Sequence, residues 1–166
     1  MKKVIALLLL TSITFYSQAQ CRLPNILFAI HGFYQAPTSS YYSSSYAAGF
    51  GPEAEVGVGL GKTTITGTAA YGYFLSRKGT GGNNYTYLPL RVGVRRKIAP
   101  KVFLDASMGS VTVNYSGGPT NKFFTAEGGI GVKLLQYEII ANYTGYNDFD
   151  RWNTGFALKF GYSFKL

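Results

Sequence analysis

The chain has 166 residues, a length that suits one folded domain. It contains 14 Tyr, 12 Phe and 21 Gly but only 14 % charged residues, and this composition favours β structure over an ordinary soluble globule. The net charge is +9, but the basic residues are scattered along the chain rather than grouped, so we do not expect a nucleic-acid partner.

The first 19 residues have the three parts of a secretory signal peptide. Two lysines precede an apolar run from Val4 to about Tyr16, and Ser17-Gln18-Ala19 then supplies the small residues that a signal peptidase requires. We predict cleavage before Gln20 and a mature domain over residues 20–166. No later stretch approaches the length of a spanning helix, so a mature chain that enters a membrane must cross it as strands.

Cys21 is the only cysteine, which excludes an intramolecular disulfide and a cysteine-based metal site. Its position just after the signal peptide leaves lipidation as an alternative. A lipoprotein signal requires a small residue before the cysteine, and Gln20 is not small, so we expect an unmodified thiol.

Beyond the signal peptide, apolar and polar residues alternate with a period of two over short stretches. Clusters of Gly, Pro, Ser, Asn and Asp separate these stretches, and no segment of helical period competes with them. We predict eight strands, at about 26–36, 46–60, 63–77, 84–97, 101–115, 122–134, 136–146 and 152–166. The predicted fold class is all-β, an eight-stranded antiparallel up-and-down barrel.

The predicted connections alternate in length along the chain. The short ones are Leu60–Lys62, Ile98–Pro100 and a tight turn near Leu135, and the longer polar ones are Ala36–Ser45, Lys78–Asn83, Ser116–Asn121 and Asn147–Arg151. Short turns on one rim and longer loops on the other are typical of transmembrane β-barrels of bacterial outer membranes. We refer to these two ends of the barrel as the short-turn rim and the long-loop rim.

Most of the predicted strands have one apolar and one polar face. In the fourth strand Val92 and Val94 alternate with Arg91 and Arg95. The even positions of the last strand are mostly apolar, and the odd positions are Asn, Gly, Ala, Lys and Ser. The alternation changes phase around Ser110–Tyr115, so we predict a β-bulge there.

Aromatic residues provide a second indication of a membrane, because Tyr and Trp prefer the interface between lipid and water. When the strands are traced up and down, an aromatic residue falls at the long-loop end of each one. The predicted interface aromatics are Tyr34, Tyr46, Tyr73, Tyr87, Tyr115, Phe124, Tyr143 and Trp152.

An eight-stranded barrel is too narrow for an open water channel, so the residues of its polar face decide what fills it. The predicted inward charges are Glu53, Glu55, Arg91, Arg95, Asp105, Glu127, Lys133, Glu138 and Lys159. Because confined charges must be paired, we predict that they form a plug of salt bridges. A proton or ion pathway along the same charges is the alternative.

The C-terminal strand, ending in Phe160-Gly161-Tyr162-Ser163-Phe164-Lys165-Leu166, and the segment Tyr87–Val94 resemble small outer-membrane β-barrel domains of the OmpA and OmpX type. The resemblance covers the whole mature chain as a pattern rather than as an invariant motif. It implies that the outer-membrane insertion machinery recognises Phe160, Tyr162, Phe164 and Leu166. The chain departs from the family in its last residue, since Leu166 stands where those proteins usually have an aromatic residue.

From these observations we expect a non-enzymatic protein of a Gram-negative outer membrane, monomeric, without cofactor or metal, and with a structural or surface-interaction role. Its expected partners are outer-membrane lipid and lipopolysaccharide, whose anionic groups suit the basic charge. One alternative is a lipid-modifying enzyme that uses His31, the only histidine. Another is a soluble periplasmic barrel that binds an apolar ligand, in which Glu53, Arg91 and Glu127 would point outward.

Overall fold

The computed structural model of the protein describes residues 25–77, 79, 83–116, 118, 120–148 and 151–165. The predicted signal peptide, Cys21 and Leu166 lie outside these residues. Within them the chain forms nine strands and one short helix: β1 (Asn25–Pro37), α1 (Ser40–Ser45), β2 (Tyr46–Leu60), β3 (Thr63–Ala70), β4 (Gly72–Ser76), β5 (Tyr85–Lys97), β6 (Val102–Tyr115), β7 (Thr120–Leu134), β8 (Tyr137–Asp148) and β9 (Arg151–Lys165). No helix in this part of the chain is long and apolar enough to cross a bilayer.

Antiparallel pairing closes these strands into one barrel. Apart from β3 and β4, each strand pairs with its neighbour in sequence, and β1 pairs with both β2 and β9, which leaves no free edge between the first and last strands. Strands β3 and β4 both lie between β2 and β5 and keep the same register, so together they form the third of eight barrel strands. The predicted eight-stranded antiparallel barrel is confirmed.

The third barrel strand is interrupted at Tyr71, where prolines lie on both sides. The registers of the flanking pairs place Pro52 opposite Tyr71 and Pro89 opposite Ala70. A proline has no N–H to donate, so each neighbouring strand lacks a ladder hydrogen bond at this point. The Tyr71 N–H still donates to the Pro52 carbonyl at 3.0 Å. A Cβ atom at Gly51 would lie 1.8 Å from the Tyr71 carbonyl oxygen, so this approach requires glycine.

The connections differ in length between the two rims, with one exception to the prediction. The turns after β2, β5 and β7 are short, and Gly61 and Leu135 adopt left-handed backbone conformations in two of them. The connection after β1 contains α1, and the one after β4 is also long. The predicted long loop Asn147–Arg151 is wrong, because β8 and β9 continue until Asp148 pairs with Arg151.

The face of each strand is set by its phase. Every second residue of β6 points inward along the whole strand, and its registers with β5 and β7 are continuous. The β-bulge predicted at Ser110–Tyr115 is therefore wrong. The register shifts instead in β2, between Tyr46 and Ala48.

The outer surface of the barrel is apolar and the interior holds the charges. Ile30, Val92 and Phe160 are each more than half exposed, whereas Glu53 and Arg91 are 2 % and 5 % exposed. A soluble barrel with an apolar interior would require the opposite arrangement, so that alternative is wrong.

Candidate functional site in the barrel lumen

Four charged side chains form a closed tetrad near the middle of the lumen. The Arg91 guanidinium donates to Glu53 at 2.6 Å and to Glu127 at 2.8 Å, while Lys159 Nζ lies 2.7 Å from Glu53 Oε1 and 2.5 Å from Glu127 Oε1. The four residues come from β2, β5, β7 and β9 and are all buried. We call this group the tetrad. Its two acids and two bases balance, and each acid contacts both bases.

A second group lies closer to the short-turn rim and is centred on Arg95. The guanidinium contacts Glu55 at 2.8 Å, Glu138 at 2.9 Å and Asp105 at 3.3 Å, and it stands 4.2 Å from the centre of the Phe103 ring. Lys133 lies 3.2 Å from Glu138 and also bonds to Ser163 of β9. We call Glu55, Arg95, Asp105, Lys133 and Glu138 the Arg95 cluster. It holds three acids against two bases.

His31 lies between the two groups and contacts both. Its Nδ1 is 3.8 Å from Glu53 Oε1 of the tetrad, and its Nε2 is 3.4 Å from Glu138 Oε2 of the Arg95 cluster. The ring is 1 % exposed, and a Cβ at Gly161 would lie 2.2 Å from it, so the small residue on β9 makes room for the imidazole. Among the described residues the His31 ring has Glu138 as its hydrogen-bond partner, whereas the enzyme alternative would pair the histidine with a serine.

His31, Glu53 and Glu55 are the described residues whose possible ligand atoms come together, within 4.8 Å of one another. Both oxygens of Glu53 already accept hydrogen bonds from the tetrad's bases, and Arg95 occupies one oxygen of Glu55. A metal ion here would compete with Arg91, Arg95 and Lys159 for the same carboxylates. The group is thus better suited to ion pairing within the protein than to metal binding.

Aromatic and aliphatic side chains fill the long-loop half of the lumen. This aromatic cluster consists of Tyr42, Phe74, Tyr85, Tyr87, Val111, Val113, Phe123 and Tyr146, with Tyr46 and Tyr115 packed against it. Phe74 and Tyr85 stack with ring centres 4.7 Å apart. Tyr42 reaches into the barrel from α1, is 1 % exposed, and bonds through its hydroxyl to that of Tyr85. The loop helix therefore closes this end of the lumen.

The lumen opens more widely at the short-turn rim. A cavity of about 300 Å³ lies there, bordered by Arg95, Lys133 and Glu138 at its inner end and by Lys97 and Lys101 among its outer residues. Beside the tetrad the void is only about 10 Å³, about the space of one water molecule. From the short-turn rim inward, the order is thus cavity, Arg95 cluster, tetrad and aromatic cluster.

The structure places the nine predicted inward charges together, in the tetrad and the Arg95 cluster. It divides the predicted interface aromatics between two faces. Tyr34, Tyr73, Phe124, Tyr143 and Trp152 lie on the outward face, and the Phe124 and Trp152 rings meet edge to face. Tyr46, Tyr87 and Tyr115 instead point into the barrel.

The prediction that these three tyrosines are interface aromatics is therefore wrong, because their side chains lie on the inward face of their strands. Tyr87 and Tyr115 occupy odd positions of β5 and β6, the same phase that buries Arg91 and Ser107. Tyr46 is turned inward by the register shift that follows it in β2.

The last strand follows the predicted alternation up to the end of the described residues. Phe160 and Phe164 are 58 % and 43 % exposed on the outward face, and the Tyr162 ring packs against Phe164 and Tyr137. Leu166, the fourth residue of the predicted insertion signal, lies outside the described part.

Several interior residues were not predicted from the sequence. Asn142 donates to Glu127 at 2.6 Å, Thr125 donates to the Gly145 carbonyl at 2.9 Å, and Ser163 contacts Lys133. Each of them shares the phase of a predicted inward charge on its own strand. Extending the phase of the charges to every inward position would have identified them.

No family model matches the chain, and no curated protein matches it in sequence. Solved structures do match its fold. The outer membrane protein Ail of Yersinia pestis, solved in a phospholipid bilayer nanodisc, superposes with a TM-score of 0.57 at 15 % identity, over 86 % of this chain and all of that one. The N-terminal β-barrel domain of Pseudomonas aeruginosa OprF superposes with a TM-score of 0.56 at 11 % identity, over 86 % of this chain and all of that one. Neisserial surface protein A superposes with a TM-score of 0.52 at 11 % identity, over 85 % of this chain and 96 % of that one. The resemblance to small outer-membrane barrels is therefore confirmed at the level of the fold.

Proposed function

We propose that this chain is a non-enzymatic integral protein of a bacterial outer membrane, with a structural or surface-interaction role and a filled lumen. The observation that carries the proposal is the inverted distribution of polarity: the ion pairs lie inside and large apolar side chains cover the outside. A barrel of this kind is stable where the solvent around it is lipid, because closure of the sheet leaves no open strand edge facing the acyl chains.

The dimensions of the outward face support this proposal. From Trp152 to Phe164, strand β9 rises by about 40 Å at about 3.3 Å per residue, or about 30 Å along the barrel axis at a tilt of about 40°. Aromatic residues lie near both ends of this distance, with Trp152 and Phe124 at one and Tyr137 and Phe164 at the other. This height is close to the hydrocarbon thickness of a bilayer.

The interior supports a structural role rather than conduction. The tetrad leaves almost no free volume in the middle of the barrel, and the aromatic cluster with Tyr42 closes the long-loop end. On the outside of that end, the Tyr41 ring is 61 % exposed and the Arg151 guanidinium stands 5.4 Å above it. The segment Thr38–Ser45 therefore offers a surface for contacts with other molecules, with Tyr41 at its centre.

Cell fractionation combined with gel electrophoresis of unheated samples tests this proposal. We expect the protein in the outer-membrane pellet, and we expect the folded barrel to migrate faster before boiling than after it. The band of the unheated sample should resist added protease, since strands closed on themselves expose little backbone. A soluble product whose migration is unchanged by heating would contradict the proposal.

A further inference from the structure

The exposed basic residues of the short-turn rim form one patch. Lys62 lies in the turn between β2 and β3, Arg96 near the end of β5, and Lys101 in the turn between β5 and β6. Thr63 pairs with Arg96, and the Lys97 N–H donates to the Lys62 carbonyl at 2.8 Å, so the two hairpin ends are adjacent. We call Lys62, Arg96 and Lys101 the basic rim patch.

No acid of the described residues balances this patch. The side chains of Lys62, Arg96 and Lys101 are exposed, and none of them forms an ion pair within the described part of the chain. Five of the seven acids are committed to the tetrad and the Arg95 cluster. Of the other two, Asp148 ends β8 at the opposite, long-loop rim, and Asp150 lies outside the described residues.

The patch begins where the apolar outer surface ends. On β5, Leu90, Val92 and Val94 point outward and are 62 %, 65 % and 47 % exposed, and Arg96 is the next outward residue. Leu60, immediately before the first turn, is 62 % exposed. A guanidinium or ammonium at this height meets the layer in which lipid phosphates lie, just beyond the acyl chains.

We propose that the basic rim patch binds the phosphate groups of anionic phospholipids in the leaflet at the short-turn rim. The inference rests on the proposed membrane location and adds a lipid class and a leaflet to it. The overall basic charge of the chain predicts contacts with lipopolysaccharide, whereas this patch lies at the opposite rim from the long loops. Three unopposed cations on adjacent hairpin ends favour a lipid that carries net negative charge over a zwitterionic one.

A fluorescence experiment can measure this preference at the rim itself. Trp152 is the only tryptophan and lies at the other end of the barrel. A Leu60→Trp substitution in a Trp152→Phe background therefore places a single reporter beside the patch. The protein is reconstituted into phosphatidylcholine vesicles, and quenching by brominated phosphatidylglycerol is compared with quenching by brominated phosphatidylcholine.

We expect phosphatidylglycerol to be favoured at the reporter, and we expect Arg96→Gln/Lys101→Gln to reduce the preference by about 25-fold, since each basic residue near an anionic surface contributes about fivefold. The control Lys122→Gln/Arg151→Gln removes the same charge from the long-loop rim and should leave the preference unchanged. An equal affinity for both lipids, or equal losses in the two variants, would overturn the proposal.

The same vesicles separate this inference from the proposed function. A heat-modifiable band in pure phosphatidylcholine shows that the barrel has inserted, so a missing lipid preference would then overturn only the role of the patch. A chain that fails to insert into vesicles of either composition would overturn the membrane location and the patch together.

Discussion

The two halves of the lumen are filled by different means. Toward the short-turn rim, the tetrad and the Arg95 cluster hold nine charges, each of which contacts at least one opposite charge within its own group. Toward the long-loop rim, the aromatic cluster fills the same cross-section with rings and aliphatic side chains. A buried charge without its partner is strongly destabilising, so replacing a single charged residue in the first half should lower the stability of the barrel sharply. Truncating a packed apolar side chain lowers the free energy of unfolding in proportion to the volume removed. Substitutions in the second half should therefore have graded effects on stability.

The largest effect should come from breaking the tetrad. Glu53→Gln leaves Arg91 and Lys159 with a single carboxylate between them, and we expect a loss of about 3–5 kcal/mol in the free energy of unfolding. Urea unfolding in lipid vesicles, followed by the unheated gel band, measures this loss. The double variant Glu53→Gln/Lys159→Met removes one charge of each sign and should cost less than the sum of the single variants. Additive losses would show that the tetrad does not act as a unit.

A smaller effect should follow from removing volume in the aromatic cluster. Val111 is fully buried, whereas Val92 on the neighbouring strand is 65 % exposed on the outward face. Each Val→Ala change removes about 1.6 kcal/mol of transfer free energy, at about 0.8 kcal/mol per CH₂. Val111→Ala should cost more than Val92→Ala, because the rigid interior keeps a cavity that lipid would fill outside. Equal losses in urea unfolding would mean that the long-loop half of the lumen is loosely packed.

The smallest effect concerns closure by α1 at alkaline pH. Burial raises the pKa of the Tyr42 hydroxyl well above its usual range. The folded chain therefore keeps this proton where the unfolded chain, with a pKa of about 10, releases it. Stability is unaffected by this group at lower pH and falls as the pH rises above about 10, by about 1.4 kcal/mol per pH unit. In Tyr42→Phe the decline between pH 10 and 11 should be shallower by about 1 kcal/mol, because the unfolded hydroxyl is only half deprotonated at pH 10. Identical slopes would argue against a buried Tyr42.

Much of this barrel follows from alternation in the sequence, as particular residues illustrate. Val92 and Val94 against Arg91 and Arg95 defined both faces of β5, because successive side chains of a strand point to opposite sides. The same phase places Tyr87 in the interior, whereas its aromatic character taken alone predicts a place at the membrane interface. The apparent change of phase in β6 has a similar origin. Val111 and Val113 are apolar residues on the inward face, where the alternation alone predicts polar ones.

Other features depended on contacts between distant strands. The break at Tyr71 needs both Pro52 and Pro89, which are 19 and 18 residues away in the sequence and become its neighbours only through the registers of β2 and β5. The Tyr46 side chain points inward because of the register shift in β2, and no local sequence pattern predicts that shift.

The last strand shows where the contribution of the sequence ends. Its alternation from Trp152 onward determined an amphipathic strand with Lys159 on the polar face, because a period of two is a local property of the chain. Only closure of the barrel decided that this polar face is the interior, and that Lys159 meets Glu53, 106 residues away, and Glu127 within 3 Å. Ion pairs between strands depend on which strands become neighbours and in what register, and those are properties of the assembled sheet.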